Sequence, residues 1–133
     1  MDVLINIDVP DLAAAVRFYE SATGLRLTRR LFDGSVAEMH GAGVPVYLLE
    51  TPAGPGATAS GNAARDYGRH WTPVHLDFIV PDIDAAIATA VAAGATLEAG
   101  PILHSWGYLA TVADPFGHGL CFMQWTGDGY PDA

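Results

Sequence analysis

LINIDVPDLAAAV (Leu4–Val16) and HLDFIVPDIDAAI (His75–Ile87) lie 71 positions apart and share one pattern. In the first, Ile5, Ile7 and Val9 alternate with Leu4, Asn6 and Asp8, the period of two that marks a strand with one apolar face. Pro10 ends the strand and Asp11 is a good helix N-cap. Leu12, Ala15, Val16 and Tyr19 recur at helical spacing, and Gly24 supplies the stop. The second copy repeats each step. Leu76, Phe78 and Val80 form the strand face, Pro81 and Asp82 follow, Ile83, Ala86, Ile87 and Ala90 form the helix stripe, and Gly94 ends it.

Short β-type runs follow each helix: 25–30, 35–40 and 45–50 in the first half, 95–99, 108–114 and 119–125 in the second. Asp114-Pro115-Phe116-Gly117 has the residues of a type I turn. Each half therefore reads β-α-β-β-β, an α+β fold of two βαβββ modules in tandem. Module one covers 1–50 and module two 71–125, with a tail at 126–133. Residues 51–70, rich in Gly, Ala and Pro and without periodicity, read as a linker or lid. All 133 residues form one domain on this reading, with its helices outside.

Alternation also fixes direction. If Ile5, Ile7 and Val9 face the helix, then Asn6 and Asp8 point to the other side of the sheet, and so do His75, Asp77 and Ile79. Polar groups are costly in a closed core, so Asn6, His75 and Asp77 are expected to line a pocket.

Composition narrows the partners. Fifteen acidic residues oppose six basic ones, a net charge of −9. Nucleic-acid binding needs cationic surface to displace counterions, so it is not expected, whereas a cationic or neutral ligand suits this charge. No apolar run approaches a membrane span. The single cysteine, Cys121, excludes an intrachain disulfide and fits a reducing compartment, and Asp2 and Asn6 interrupt any signal-like N-terminus. A cytoplasmic location is expected.

The paired Val-Pro-Asp segments at 9–11 and 80–82, Phe18-Tyr19 with Gly24-Leu25, and Asp114-Pro115-Phe116-Gly117-His118 together resemble the vicinal oxygen chelate superfamily. This group includes glyoxalase I, bleomycin resistance proteins and extradiol dioxygenases. The resemblance spans Val3 to Trp125. It implies two modules forming a cup-shaped mixed sheet, in homodimers, and in the enzymes a divalent metal held by the first and fourth strands of each module. Those positions fall on Leu4, Tyr47, His75 and Cys121. Of these, only His75 is an ordinary ligand of the family. Leucine cannot coordinate, neutral tyrosine is a poor ligand, and cysteine suits softer metals than Mn²⁺ or Mg²⁺. A catalytic site usually needs about three protein ligands, so no metal and no cofactor is expected. A divalent metal at His75 is the alternative.

The leading expectation is a non-catalytic binder of the bleomycin-resistance type, holding a small organic molecule, for example an antibiotic. Asn6, Tyr47, Trp71, His75, Asp77, Trp106, Cys121 and Met123 are the candidate ligand-binding residues. Trp71 and Trp106 are expected near the mouth, where rings can stack on a ligand. The alternative is an enzyme of the same fold, a lyase, isomerase or dioxygenase, with His75 as metal ligand or general base and Asp77 holding its tautomer. Cys121 reads first as a small buried hydrophobe. Glu50 is expected at a strand end in solvent. His40, His104 and His118 are expected at the periphery, His118 capping its hairpin.

Overall fold

The computed structural model describes residues 1–55 and 64–131. The chain divides into two compact units, Met1–Gly68 and Arg69–Ala133. Residues 56–63 of the expected lid lie outside the described residues.

In the first unit, β1 (Ile5–Val9) leads into α1 (Leu12–Thr23), followed by β2 (Arg26–Leu31), β3 (Val36–His40) and β4 (Val46–Glu50). The sheet order is β1-β4-β3-β2, with β1 parallel to β4 and the remaining pairs antiparallel. The Asp11 carboxylate accepts from the Ala14 amide at 3.0 Å, and Gly24 leaves the helix with φ +74°. That left-handed conformation is one glycine adopts at little cost. The α1 stripe Leu12, Ala15, Val16, Phe18 and Tyr19 is buried, as are Val9, Ala37, Met39, Val46 and Leu48 on the sheet. Burying a side chain of leucine size contributes about 1.5–3 kcal/mol, so this face holds the unit together.

Two strands of two residues each, β5 (Gly54–Pro55) and β6 (Ala64–Arg65), pair antiparallel after β4. The Arg65 guanidinium meets the Asp8 carboxylate at 2.6 Å, and the Tyr67 hydroxyl donates to the Thr51 carbonyl at 2.7 Å. These bonds tie residues 64–68 to the first unit.

The second unit repeats the plan: β7 (Leu76–Ile79), α2 (Ile83–Ala92), β8 (Thr96–His104), β9 (Gly107–Ala113) and β10 (Gly119–Trp125), in the order β7-β10-β9-β8. Asp82 caps α2 as Asp11 caps α1, accepting from Ala85 at 3.0 Å. Strand β8 runs five residues beyond the expected 95–99. The strand continues through Gly100-Pro101 because β8 is an edge strand, where a proline without an N–H is tolerated. Its pairing with β9 shifts register between Ala99 and Ile102.

The repeat extends to a contact that the sequence does not reveal. The Glu50 carboxylate accepts from the Leu12 amide at 2.9 Å, and Gln124 accepts from the Ile83 amide at 2.7 Å. Each fourth strand thus supplies a second cap to its own module's helix. Glu50 therefore does more than end a strand in solvent. Its side chain satisfies one of the donors that every helix N-terminus leaves open.

Among the described residues no helix is long and apolar enough to cross a membrane.

Candidate functional site

Register places the candidate residues of the second unit on one face. Leu76, Leu120 and Val112 are opposite one another across β7, β10 and β9, as are Phe78, Phe122 and Ala110. Leu120, Val112, Phe122 and Ala110 are buried, together with Ile83, Ile87 and Ala90 of α2, which packs on these strands. The alternate positions point the other way. Asp77, Cys121 and Thr111 form one row across that face, and Ile79, Met123 and Leu109 form the next. The face away from α2 is therefore polar at the start of β7 and apolar one row further on.

His75 precedes β7. Its Nε2 lies 3.3 Å from Oδ1 of Asp77, and both side chains are about one-third exposed, 32% and 35%. The Trp71 ring leans on the His75 ring, with centroids 4.6 Å apart. Trp71 has room because residue 119 is glycine: a Cβ there would come within 2.6 Å of the indole. Arg69 lies 5.6 Å from the Trp71 ring centroid and forms a fork with Glu98, at 2.7 and 2.6 Å. This bond lowers the Glu98 carboxyl below its ordinary range and raises Arg69. The cation beside Trp71 is thereby matched, and the exposed charge next to His75 is the carboxylate of Asp77.

Cys121 is buried in the central strand β10. Burial pushes its thiol up, a hydrogen bond with Thr111 acts the other way, and the nearby Asp77 carboxylate adds to the rise. A thiol held neutral is a poor nucleophile, which agrees with the packing role expected of it. Met123, one row on, is also buried, and the Tyr130 hydroxyl approaches its sulfur at 3.9 Å.

Trp106 belongs to a different cluster. It follows β8 in the turn to β9, stacks on His104 with ring centroids 4.9 Å apart, and meets Trp125 and Tyr130 edge-on. Trp125 is four residues beyond Cys121 on β10, about 13 Å along a strand. The structure thus brings Trp71, His75, Asp77 and Cys121 together but sets Trp106 toward the other end of the sheet.

Asn6 and Tyr47 occupy the first unit, opposite one another on β1 and β4. Tyr47 is in turn opposite Glu38 on β3, and Glu38 opposite Arg29 on β2. Glu38 is buried yet charged. Its carboxylate pairs with Arg29 and lies 2.7 Å from Nε2 of His40. The hydrogen bonds from His40 and then Arg29 hold the Glu38 carboxyl below its ordinary range. Sequence reasoning missed this buried carboxylate and set His40 at the periphery. A bulge between Leu27 and Arg29 brings the arginine opposite Glu38; without it Thr28 would stand there. Leu4, the first-strand counterpart of His75, is exposed at 54%.

His118 donates its amide to Asp114 Oδ1 at 2.8 Å and places Nδ1 2.6 Å from Oδ2. It fastens its hairpin, as expected.

Two surface hollows lie elsewhere. One of about 420 Å³ is bounded by Trp106, Asp128 and Tyr130, and one of about 570 Å³ by Met1, Leu4 and Pro45. Neither includes a cluster of potential reacting groups. The convergence at His75 lies outside both hollows, with exposed His75 and Asp77 beside buried Cys121, and it is chemistry rather than depth that singles it out.

The sequence matches the glyoxalase-like domain family over residues 4–123. The chain belongs to this family. Solved structures with the same fold include a glyoxalase/bleomycin resistance protein/dioxygenase family enzyme from Burkholderia phytofirmans PsJN (TM-score 0.72, 18% identity, covering 94% of this chain and 99% of that one). Another glyoxalase/bleomycin resistance protein/dioxygenase, from Nocardioides, gives a TM-score of 0.67 at 22% identity, covering 100% and 88%. TnmS3, an antibiotic binding protein from Streptomyces sp. CB03234, gives 0.66 at 21% identity, covering 95% and 96%. No curated protein matches the sequence. Together these findings place the chain in the vicinal oxygen chelate superfamily.

Proposed function

We propose that this glyoxalase-like protein binds a small organic molecule over β7 of its second unit. The observation that carries this reading is the His75–Asp77 pair, part-exposed on the sheet face away from α2 and propped by Trp71. Asp77 offers a carboxylate to a hydrogen-bond donor or a cation. His75 offers either a donor or an acceptor. Ile79, 52% exposed one row beyond, supplies apolar surface on the same face, with Cys121 and Met123 forming the floor. A ligand with a polar end and an apolar body fits this order, and the net charge of −9 favours a cationic or neutral one. The likeness to an antibiotic binding protein supports the same class. Binding without turnover protects a cell by lowering the free concentration of a toxic compound. The family resemblance supports a homodimer, which light scattering would test.

One observation favours a second reading. Asp77 is placed to orient the His75 imidazole, the arrangement of a general base and its positioning carboxylate. An enzyme of this kind would remove a proton from a carbon acid.

The experiment is a melting screen of the purified chain against small cationic and aromatic compounds. A ligand at 100 times its Kd raises stability by about 2.7 kcal/mol. Stabilisation that disappears in His75→Ala and Asp77→Asn, with the compound recovered unchanged, supports the binder. Conversion of the compound, lost in the same variants, supports the enzyme. Equal stabilisation of both variants overturns the site.

A further inference from the structure

The family resemblance implies a metal held by one side chain from each of four strands, two in each module. Leu4 and Tyr47 do not fit that set. The second unit, however, assembles a different one. The imidazole of His75, the carboxylate of Asp77 and Sγ of Cys121 present ligand atoms that all lie within 4.8 Å of one another. Asp77 is not among the positions the resemblance implies, and all three donors come from one unit.

We propose that His75, Asp77 and Cys121 form a site for a divalent ion of the zinc type, held by the second unit alone. Three donors at zinc-like bond lengths of 2.0–2.3 Å in tetrahedral array are roughly 3.3–3.8 Å apart. The His75 and Asp77 atoms already meet this at 3.3 Å. The widest separation, 4.8 Å, is about 1 Å too long, a gap that small χ rotations of Asp77 and His75 close. The scaffold is firm: Cys121 stands between Asp77 and Thr111 in paired strands, and Trp71 props the imidazole. The Thr111 hydroxyl lies 3.8 Å from Sγ, so it can donate to a coordinated thiolate and steady it, as outer hydrogen bonds do in metal sites.

Donor chemistry chooses the ion. One sulfur and one imidazole nitrogen disfavour Mg²⁺, Mn²⁺ and Ca²⁺, which prefer oxygen. Zinc and cobalt accept a mixed nitrogen, oxygen and sulfur shell. A thiolate, a carboxylate and a neutral imidazole carry two negative charges, which a divalent cation neutralises. Arg69 is engaged by Glu98 and offers no substitute. Because His75 and Asp77 are part-exposed, water or a ligand atom can reach a fourth position, the open geometry of a reactive rather than a closed structural site. The ion does not require the organic ligand proposed above, and the tests of the two separate.

Co²⁺ titration of the full, chelator-stripped chain tests the site, because cobalt reports its ligands by absorption. The expected result is one Co²⁺ per chain, with a thiolate-to-cobalt charge-transfer band and the intense visible bands of a four-coordinate ion. Zn²⁺ should abolish both, and excess Mg²⁺ or Mn²⁺ should not. Cys121→Ser and Cys121→Ala, checked for folding by circular dichroism, should lose the charge-transfer band. His75→Ala and Asp77→Asn should each weaken cobalt binding about tenfold or more. No charge-transfer band, a band that survives loss of Cys121, or equal competition by Mn²⁺ overturns the site. Organic compounds that stabilise the stripped protein while cobalt gives no such band would refute the metal site and leave the binding proposal standing.

Discussion

Replacing Glu50 by alanine removes the second cap of α1, and its cost follows from the structure. The Glu50 carboxylate accepts from the Leu12 amide at 2.9 Å at the start of the helix. A hydrogen bond to a charged group contributes about 1.5–3 kcal/mol. A carboxylate at a helix N-terminus adds about 0.3–1 kcal/mol from the dipole. Glu50 is exposed and water competes for the amide, so the lower end applies, about 1.5 kcal/mol for Glu50→Ala. Glu50→Gln keeps the acceptor and loses only the charge, so it should cost about 0.5 kcal/mol. The neutral counterpart, Gln124→Ala in the second unit, should cost about 1 kcal/mol. The two sites share no partner, so the double variant should lose close to the sum. Urea unfolding followed by circular dichroism reads these values, and at this chain length Glu50→Ala should lower Tm by about 6 °C. The reasoning is refuted if Glu50→Ala matches the wild type, or if Glu50→Gln is as damaging as Glu50→Ala.

Three further outcomes are expected. The folded pKa of Glu38 is below its unfolded value, so its pairing stabilises the fold above the ordinary glutamate range and is lost as pH falls through the lowered folded value; Glu38→Gln should therefore flatten the acid limb of a stability–pH curve, and an unchanged limb contradicts the pairing. Gly107→Ala should cost more than about 3 kcal/mol in urea unfolding, because φ is +154° and the new Cβ falls on the Gln124 carbonyl oxygen. Leu48→Ala, fully buried on the central strand β4, should cost about 2–5 kcal/mol by the same assay.

The fold was legible because the two Pro-Asp steps mark two strand-to-helix passages, and strict alternation before each sets which residues face the helix. These are local signals. Features fixed by pairing between distant segments were less so. Glu38 stands in a run that reads as an ordinary strand, and its burial with Arg29 and His40 depends on a bulge in β2. Glu50 and Gln124 cap helices 38 and 41 positions away in sequence. Asp77 and Cys121 become neighbours only through the parallel register of β7 with β10. His75 and Asp77 were readable as a pair because they stand two residues apart, His75 just before β7 and Asp77 within it, the spacing at which alternation turns both side chains to one side. The place of Trp106 beside Trp125 and Tyr130 was not readable in the same way, since it follows from the antiparallel register of β9 with β10.

The most direct measurement is an NMR titration of labelled protein with a compound that stabilises it. The account predicts that the His75 imidazole and the Asp77 and Ile79 amides shift first and saturate together. Shifts concentrated around Trp106 and Tyr130, or around Leu4 and Pro45, with His75 unmoved, would contradict it.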